Sequence, residues 1–391
     1  MKEEKEFYHY SIWIVIVFLC AYGAVMVYSA SAATCLSEKQ YNYDSMYLLK
    51  RQLIFMAAGL IACMVLPKLP YRLLDRYAVL VYIMGGVCIA LLKTKFGISV
   101  NGATRWLRFG PVQFQVAEVV KICVIIMMAS MLQHNKSNLK SWKTAAWMWI
   151  VCGMLVGPLY IISNDLSSSI VILGIAFGLS FIFTKTFKFH IAVLASALVG
   201  AGAYVFSIAR DLPTPEEMEK LPFRIARIAA WIDPERYASG KGYQTLQSLY
   251  AIGRGGFTGQ GLGNSMQKIS AIPEAQNDMI FSIICEELGV VGVVVLLILF
   301  IILLYSMVQI AKKIQDRFDC AVVIGVFLHI GIQTIFNIAV NTNVMPNTGL
   351  PLPFISYGGT AVACQLCEVA LVLAIDSKNR EIRLKKQRGL L

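Results

Sequence analysis

The chain has 391 residues, 57% of them hydrophobic and 15% charged, with a mean hydropathy of +0.64 and a net charge of +12. That apolar content excludes a water-soluble globule and fits a chain that crosses a bilayer many times, at about 20 apolar residues per helix. The basic balance does not point to nucleic acid: the larger share of the lysines and arginines falls on alternate loops and the C-terminal tail, as a positive-inside bias requires.

Ten apolar segments follow in order, at 11–34, 47–66, 76–93, 116–133, 144–163, 165–184, 189–210, 279–307, 319–345 and 358–376. All are too long for barrel strands and lack period-2 alternation, which predicts an all-α membrane protein. An even number of spans puts both termini on one side, and the charge bias makes that side cytoplasmic, with one long outer loop between the seventh and eighth helices. The whole of 1–391 reads as a single membrane domain with a basic tail, 377–391, suited to anionic lipid. The first run ends in SASAAT, like a signal-peptidase site, but it outruns a signal peptide's apolar core and predicts a retained helix. Of ten cysteines only Cys35 falls outside the spans, so no disulfide framework is predicted. The histidines at 9, 134, 190 and 329 have no zinc spacing, and no cofactor is certain.

Two outer segments are unusual. One is Lys93–Gln115, KTKFGISVNGATRWLRFGPVQFQ. The other is Asp211–Asp278, in which Ile225, Ile228 and Ile232 oppose Arg224 and Arg227 at helical spacing, predicting a short helix in the membrane interface. GRGGFTGQGLGNS then carries six glycines between 253 and 263. It matches neither nucleotide-binding glycine motif, which leaves a flexible loop or a backbone that closely approaches a phosphate or sugar.

Polar groups in and beside the spans are the functional candidates, because such placement is costly. His329, Gln333, Asn337 and Asn341 recur every four residues along one helix face, either as glue between helices or as the wall of a wet cavity. Gln333, Asn337, Asn341, Ser356 and Glu368 are the candidate lining of that cavity. Glu118 and Lys121 share a face, as a structural ion pair or as a cation offered to pyrophosphate. Arg105-Trp106 suits the headgroup level. Asp165, in NDLSS, reads as a helix start. Asp278 opens a span that also carries Glu286 and Glu287. The plain reading of Asp278 is an acid at a helix dipole. The sharper one is a partly desolvated base, with Lys268 nearby to restrain its pKa.

Four features carry a family resemblance: NGATRWLRFGPVQFQVAEVVK; the block from GYQTLQSLYAIGRGG through IPEAQNDMIFSIICEELG; NTGLPLPFISYGGT; and the ten-span layout. With these the chain resembles the SEDS (FtsW/RodA/SpoVE-like) family, nearer its FtsW/SpoVE branch. The resemblance implies a peptidoglycan glycosyltransferase in the bacterial cytoplasmic membrane, polymerising lipid II at the outer face and releasing undecaprenyl pyrophosphate. It implies a class B penicillin-binding protein transpeptidase as partner, alongside other divisome, elongasome or sporulation membrane proteins, and no nucleic acid. The family's essential aspartate matches Asp278, its Arg-Trp pair Arg105 and Trp106, and its Glu-x-x-Lys pair Glu118 and Lys121. The chain departs from the family at Val116-Ala117, where Pro-Ser is usual, and at Asn164-Asp165-Leu166-Ser167-Ser168, where Pro-Asp-x-Gly-Thr is usual. In the chemistry this implies, Asp278 is the general base toward a sugar hydroxyl, with inversion at the donor carbon. Arg105, Lys121, Lys268 or a divalent cation (Mg2+ or Mn2+) neutralises the leaving pyrophosphate. Two other classes fit the same spans: a carrier that flips lipid II, and a scaffold for the synthase.

Overall fold

The computed structural model describes residues 4–100, 103–110, 112–218, 220–270 and 272–388. Asn101, Gly102 and Pro111 of the first outer block and Gly389 to Leu391 of the tail lie outside the described residues. The helices α1 (Glu4–Ser37), α2 (Tyr47–Val65), α3 (Leu73–Arg76) and α4 (Ala78–Leu91) lead into a small sheet of β1 (Gly97–Val100), β2 (Ala103–Phe109) and β3 (Val112–Gln115). Then come α5 (Val116–His134), α6 (Trp142–Ser163), α7 (Leu166–Phe183) and α8 (Phe187–Arg210). The long loop contributes α9 (Phe223–Ile232), α10 (Tyr243–Gly255) and α11 (Gln267–Ser270). The chain closes with α12 (Ile280–Lys312), α13 (Arg317–Asn341) and α14 (Gly359–Gln387).

Among the described residues nine helices are long and apolar enough to cross a bilayer. Large side chains such as Ile161, Val199 and Phe206 stand 70–73% exposed on the outside of the bundle, an arrangement costly in water and natural in lipid. The third expected span differs: the chain turns at Tyr77 and leaves α4 with 14 residues, about 21 Å of helix. Cys35, expected outside the spans, ends α1 and is fully buried.

α13 packs between α5, α7 and α12, α14 lies on α2, and α1 lies on α12. α9 forms where the spacing predicts a short helix. Ala226, Ala229 and Ala230 pack with Ile208 at the end of α8 and with Met218 and Tyr237. The small alanines let α9 fold closely over the bundle, and its arginine face turns toward it. The sheet is an antiparallel meander in the order β1-β2-β3.

Two stretches break the helical pattern inside the bundle, and both are repaired by specific partners. α12 kinks at Gly289, whose φ is +61° and ψ −161°. In an unbroken helix the Val290 and Val291 amides would donate to the carbonyls of Glu286 and Glu287. Here Gln260 N and Gly261 N donate to those carbonyls at 2.9 and 3.0 Å, while Val290 N and Val291 N donate to Gly256 and Phe257 at 3.1 and 3.3 Å. The glycine-rich loop is thus spliced into the gap and is not a free loop. Side chains add to the seam. Ser265 and the Met266 amide donate to Glu286, and Lys268 Nζ lies 2.6 Å from Glu287 and 3.0 Å from Ser29 on α1.

The second stretch, 347–358, is a buried loop between α13 and α14 in which Leu350, Leu352, Phe354 and Ile355 are at most 3% exposed. A buried backbone needs partners, and side-chain amides supply them. Gln333 Nε2 donates to Pro351 O, Asn337 Nδ2 to Leu350 O and Gln52 Nε2 to Ser356 O. Gln365 Oε1 accepts from Phe354 N, Gln52 Oε1 from Gly358 N, and Ser356 Oγ from Leu352 N.

The splice separates two glycines only two residues apart on α10. A Cβ at Gly255 would stand 1.9 Å from the Cys285 carbonyl oxygen, whereas one at Gly253 meets nothing within 4 Å. Gly255→Ala is expected to destabilise by about 2–3 kcal/mol, and Gly253→Ala to be neutral or to gain up to about 1 kcal/mol. Thermal unfolding of the two detergent-solubilised variants checks both signs.

Candidate active site

Asp278 sits in the turn just before α12, not in its first turn, so the helix-dipole reading is incomplete. The turn is held by its backbone. Asn337 Nδ2 and Asn341 Nδ2 both donate to the Asp278 carbonyl, at 2.8 and 2.9 Å, and Asn341 Oδ1 accepts from Ser282 N in the first turn of α12. The carboxyl group is left unspent: among the described residues only its own backbone N–H bonds it. Across from it stands the backbone of Gly349 (φ +70°), where a Cβ would lie 3.6 Å from Oδ2.

Part of the Asp278 surface stays open, yet protein surrounds it closely enough that burial pushes its pKa up to about 6. Arg227 of α9 opposes the rise and Glu274 adds to it. The cation acting on Asp278 is therefore Arg227, not the Lys268 expected from proximity in sequence. Lys268 is buried against Glu287 and Ser29 in the splice. Burial also lowers the pKa of Arg227, with Asp278 the first charge opposing that. Its Nη1 donates to Asn347 O at 3.0 Å.

The sheet brings a second arginine. Arg105 lies on β2 at a register shift, unpaired between Trp106, which pairs with Ile98, and Thr104, which pairs with Ser99. Arg105 Nε approaches Asp165 Oδ2 at 4.0 Å, and Gln115 Nε2 donates to the same oxygen at 3.3 Å. Asp165 is also the N-cap of α7, accepting from Ser168 N at 3.0 Å and Ser168 Oγ at 2.8 Å. One carboxylate thus caps a helix and anchors the sheet. The charges of Arg105 and Asp165 both register at Arg227, which places Arg105, Asp165, Arg227 and Asp278 in one electrostatic neighbourhood.

The other candidates form a separate, buried chain. Lys121 Nζ donates to Glu118 Oε1 and Gln333 Oε1, both at 2.7 Å, with Lys121 0% and Glu118 2% exposed. His329 shares a hydrogen bond with Gln333 Oε1 at 2.9 Å and another with Glu368 Oε2 at 2.7 Å. The helix stripe therefore divides. His329 and Gln333 bind the charges of α5 and α14, while Asn337 and Asn341 hold Asp278. Ser356 is 1% exposed and ties its own loop. Most of their polar atoms are spent on protein groups, but Glu118 Oε2 and Glu368 Oε1 are buried without a hydrogen-bond partner among the described residues.

Among the described residues three buried polar atoms at the edge of the Asp278 neighbourhood have no hydrogen-bond partner: Arg105 Nε, Asn277 Oδ1 and Thr348 Oγ1. Such orphans are uncommon and call for a ligand or water. Arg227 and Asn347 were missed as site residues. The signal for Arg227 was its position opposite the isoleucines of α9; for Asn347 nothing local would have served.

The fold and site define a multi-pass membrane protein with a helix-capping acid, two arginines and a lone desolvated carboxyl group gathered under an extramembrane loop. The chain belongs to the FtsW/RodA/SpoVE family, described as "Cell cycle protein", whose model matches residues 9–381. It is 33% identical over 382 residues to the probable peptidoglycan glycosyltransferase FtsW of Coxiella burnetii, covering 96% of this chain and 98% of that one. It is similar to a chain of a peptidoglycan synthase complex that coordinates polymerization and crosslinking, with 26% identity and a TM-score of 0.73 over 95% and 98% of the two chains. A variant of the rod-shape-determining protein RodA of Thermus thermophilus matches with 25% identity and a TM-score of 0.62, over 93% and 96%.

Removing Lys121 alone strands Glu118 in the core. Lys121→Met is expected to cost about 3–5 kcal/mol, and Lys121→Met with Glu118→Leu to recover much of it. Thermal unfolding of the single and double variants measures the difference.

Proposed function

We propose that the chain is a peptidoglycan glycosyltransferase that polymerises lipid II into β-1,4 glycan strands, with Asp278 as general base, in a site facing outward from the cytoplasmic membrane. The reading is supported by relatives named as probable peptidoglycan glycosyltransferases. The single observation that carries Asp278 is its carboxyl group, raised to about 6 by burial and free of any partner but its own amide. A base of that pKa is mostly ionised at neutral pH and still able to take a proton.

In the proposed step the acceptor's 4-hydroxyl gives its proton to Asp278 as its oxygen attacks the anomeric carbon of the donor. The bond to undecaprenyl pyrophosphate breaks on the opposite face, so the configuration inverts. The leaving group needs neutralisation rather than protonation. Arg105 and Arg227 are the cations for it, because Lys121 and Lys268 are committed to Glu118 and Glu287. Among the described residues no cluster of three or more metal-ligating side chains gathers. A divalent cation, where used, would therefore be held largely by the substrate's phosphates. The likeness to a chain of a peptidoglycan synthase complex supports a transpeptidase partner of the class B penicillin-binding type.

Purified protein given lipid II, with and without such a partner, tests the reading: glycan chains are the expected product. Asp278→Asn is expected to lower the rate by about 10³-fold or more while expression is unchanged; full activity in that variant removes Asp278 from the chemistry. The pH dependence has a definite sign. Activity rises with pH as Asp278 loses its proton, with a midpoint near 6. Arg227 holds that midpoint down, so Arg227→Gln is expected to move the acidic limb of kcat/KM to higher pH. A limb that stays in place separates Arg227 from the base.

A further inference from the structure

Beside the Asp278 neighbourhood lies a cavity of about 280 Å3, near the lower end of the usual range for ligand pockets, about 300 Å3. Its wall includes Phe223 and Arg227 of α9, Lys241 and Gln244 at the start of α10, Pro273, and Asn347 of the buried loop. No aspartate or glutamate lines it. Arg227 and Lys241 both stand over the ring of Phe223, with the charged ends 4.2 and 5.2 Å from its centre. Two cations are therefore held in one small space; Asp278 and Asp165 offset Arg227 from outside the wall, while no acid among the described wall residues offsets Lys241, an arrangement that favours a bound anion. Asn347 Nδ2 donates to Gln244 Oε1 at 2.9 Å, which turns the Gln244 amide so that, among the described residues, its NH2 is an unspent donor.

The position selects between anions. Every wall residue lies in a loop or loop helix, outside the helices that qualify as membrane spans. A pyrophosphate tied to an isoprenyl chain stays at the bilayer boundary. The carboxylates of a peptide carried on the sugar extend away from it. We propose that this cavity binds a carboxylate of the peptide arm on the lipid-linked sugar, with Lys241 as its cation and Gln244 as a neutral donor, so that the site selects its substrate by the peptide. This rests on the polymerase reading above. It assigns the cavity to specificity and leaves proton removal to Asp278.

The test is equilibrium binding of lipid II to the detergent-solubilised full-length protein, beside lipid II whose peptide carboxylates are amidated. Loss of one charge-assisted contact is expected to weaken binding of the amidated form by about tenfold. Lys241→Met is expected to weaken lipid II by a similar factor and bring the ratio of the two ligands close to one. Lys241→Arg is expected to restore most of the discrimination. Lys241 is exposed, so folding is not at stake. Equal binding of both ligands by the unaltered protein overturns the proposal. So does a Lys241→Met variant that loses both ligands equally, or one that loses competition by inorganic pyrophosphate while keeping the peptide preference. Absence of glycan product from the unaltered protein would count against the polymerase reading alone, since the binding ratio is read without turnover.

Discussion

The structure depends on one constraint: backbone N–H and C=O groups that leave helical geometry inside an apolar bundle must find other partners. Two segments leave it. The break in α12 is closed by the backbone of the glycine-rich loop. The buried loop after α13 is closed by the side-chain amides of Gln52, Gln333, Asn337 and Gln365. Each repair delivers something to the site. The first fixes the short amino-terminal piece of α12 behind Asp278. The second sets Gly349 and Asn347 beside that carboxyl group and Arg227.

Asp278 is positioned through its main chain, which is why its side chain remains available. Two asparagines hold the carbonyl, and among the described residues no hydrogen bond from another residue restrains the carboxyl group. A carboxylate gripped by donors would have been stabilised as the anion and made a poorer base. The chain of Glu118, Lys121, Gln333, His329 and Glu368 works differently: it is buried, its members hydrogen-bond one another, and it ties α5, α13 and α14 together under the site. The same stripe on α13 thus serves as internal glue at one end and as a cradle for the Asp278 backbone at the other.

Sequence alone gave away what periodicity and composition encode. The long apolar runs became helices close to their expected limits, and Asp165 caps a helix as its NDLSS context indicates. The small sheet was missed although Asn101-Gly102 between alternating residues is a hairpin signal; a run of spans drew attention away from a local period of two. The glycine cluster carried no local sign that a helix 30 residues further on would be broken to receive it, because that need arises only in tertiary packing. Lys268 looked like a neighbour of Asp278 by chain distance, but a buried acid on α12 claims it. Arg227 reached the site only because alanines on its helix let α9 fold inward.

The order in which the chain is made gives the splice and the late loop a further meaning. The glycine segment leaves the ribosome before the helix whose gap it fills, so the half of α12 that cannot complete its own ladder finds its complement already present. The loop at 347–358 emerges near the end and closes against the start: a Cβ at Gly23 in the first helix would stand 2.5 Å from the Phe354 carbonyl oxygen. The first and last parts of the polypeptide meet there, and a nascent chain short of that point cannot assemble the pocket around its acid.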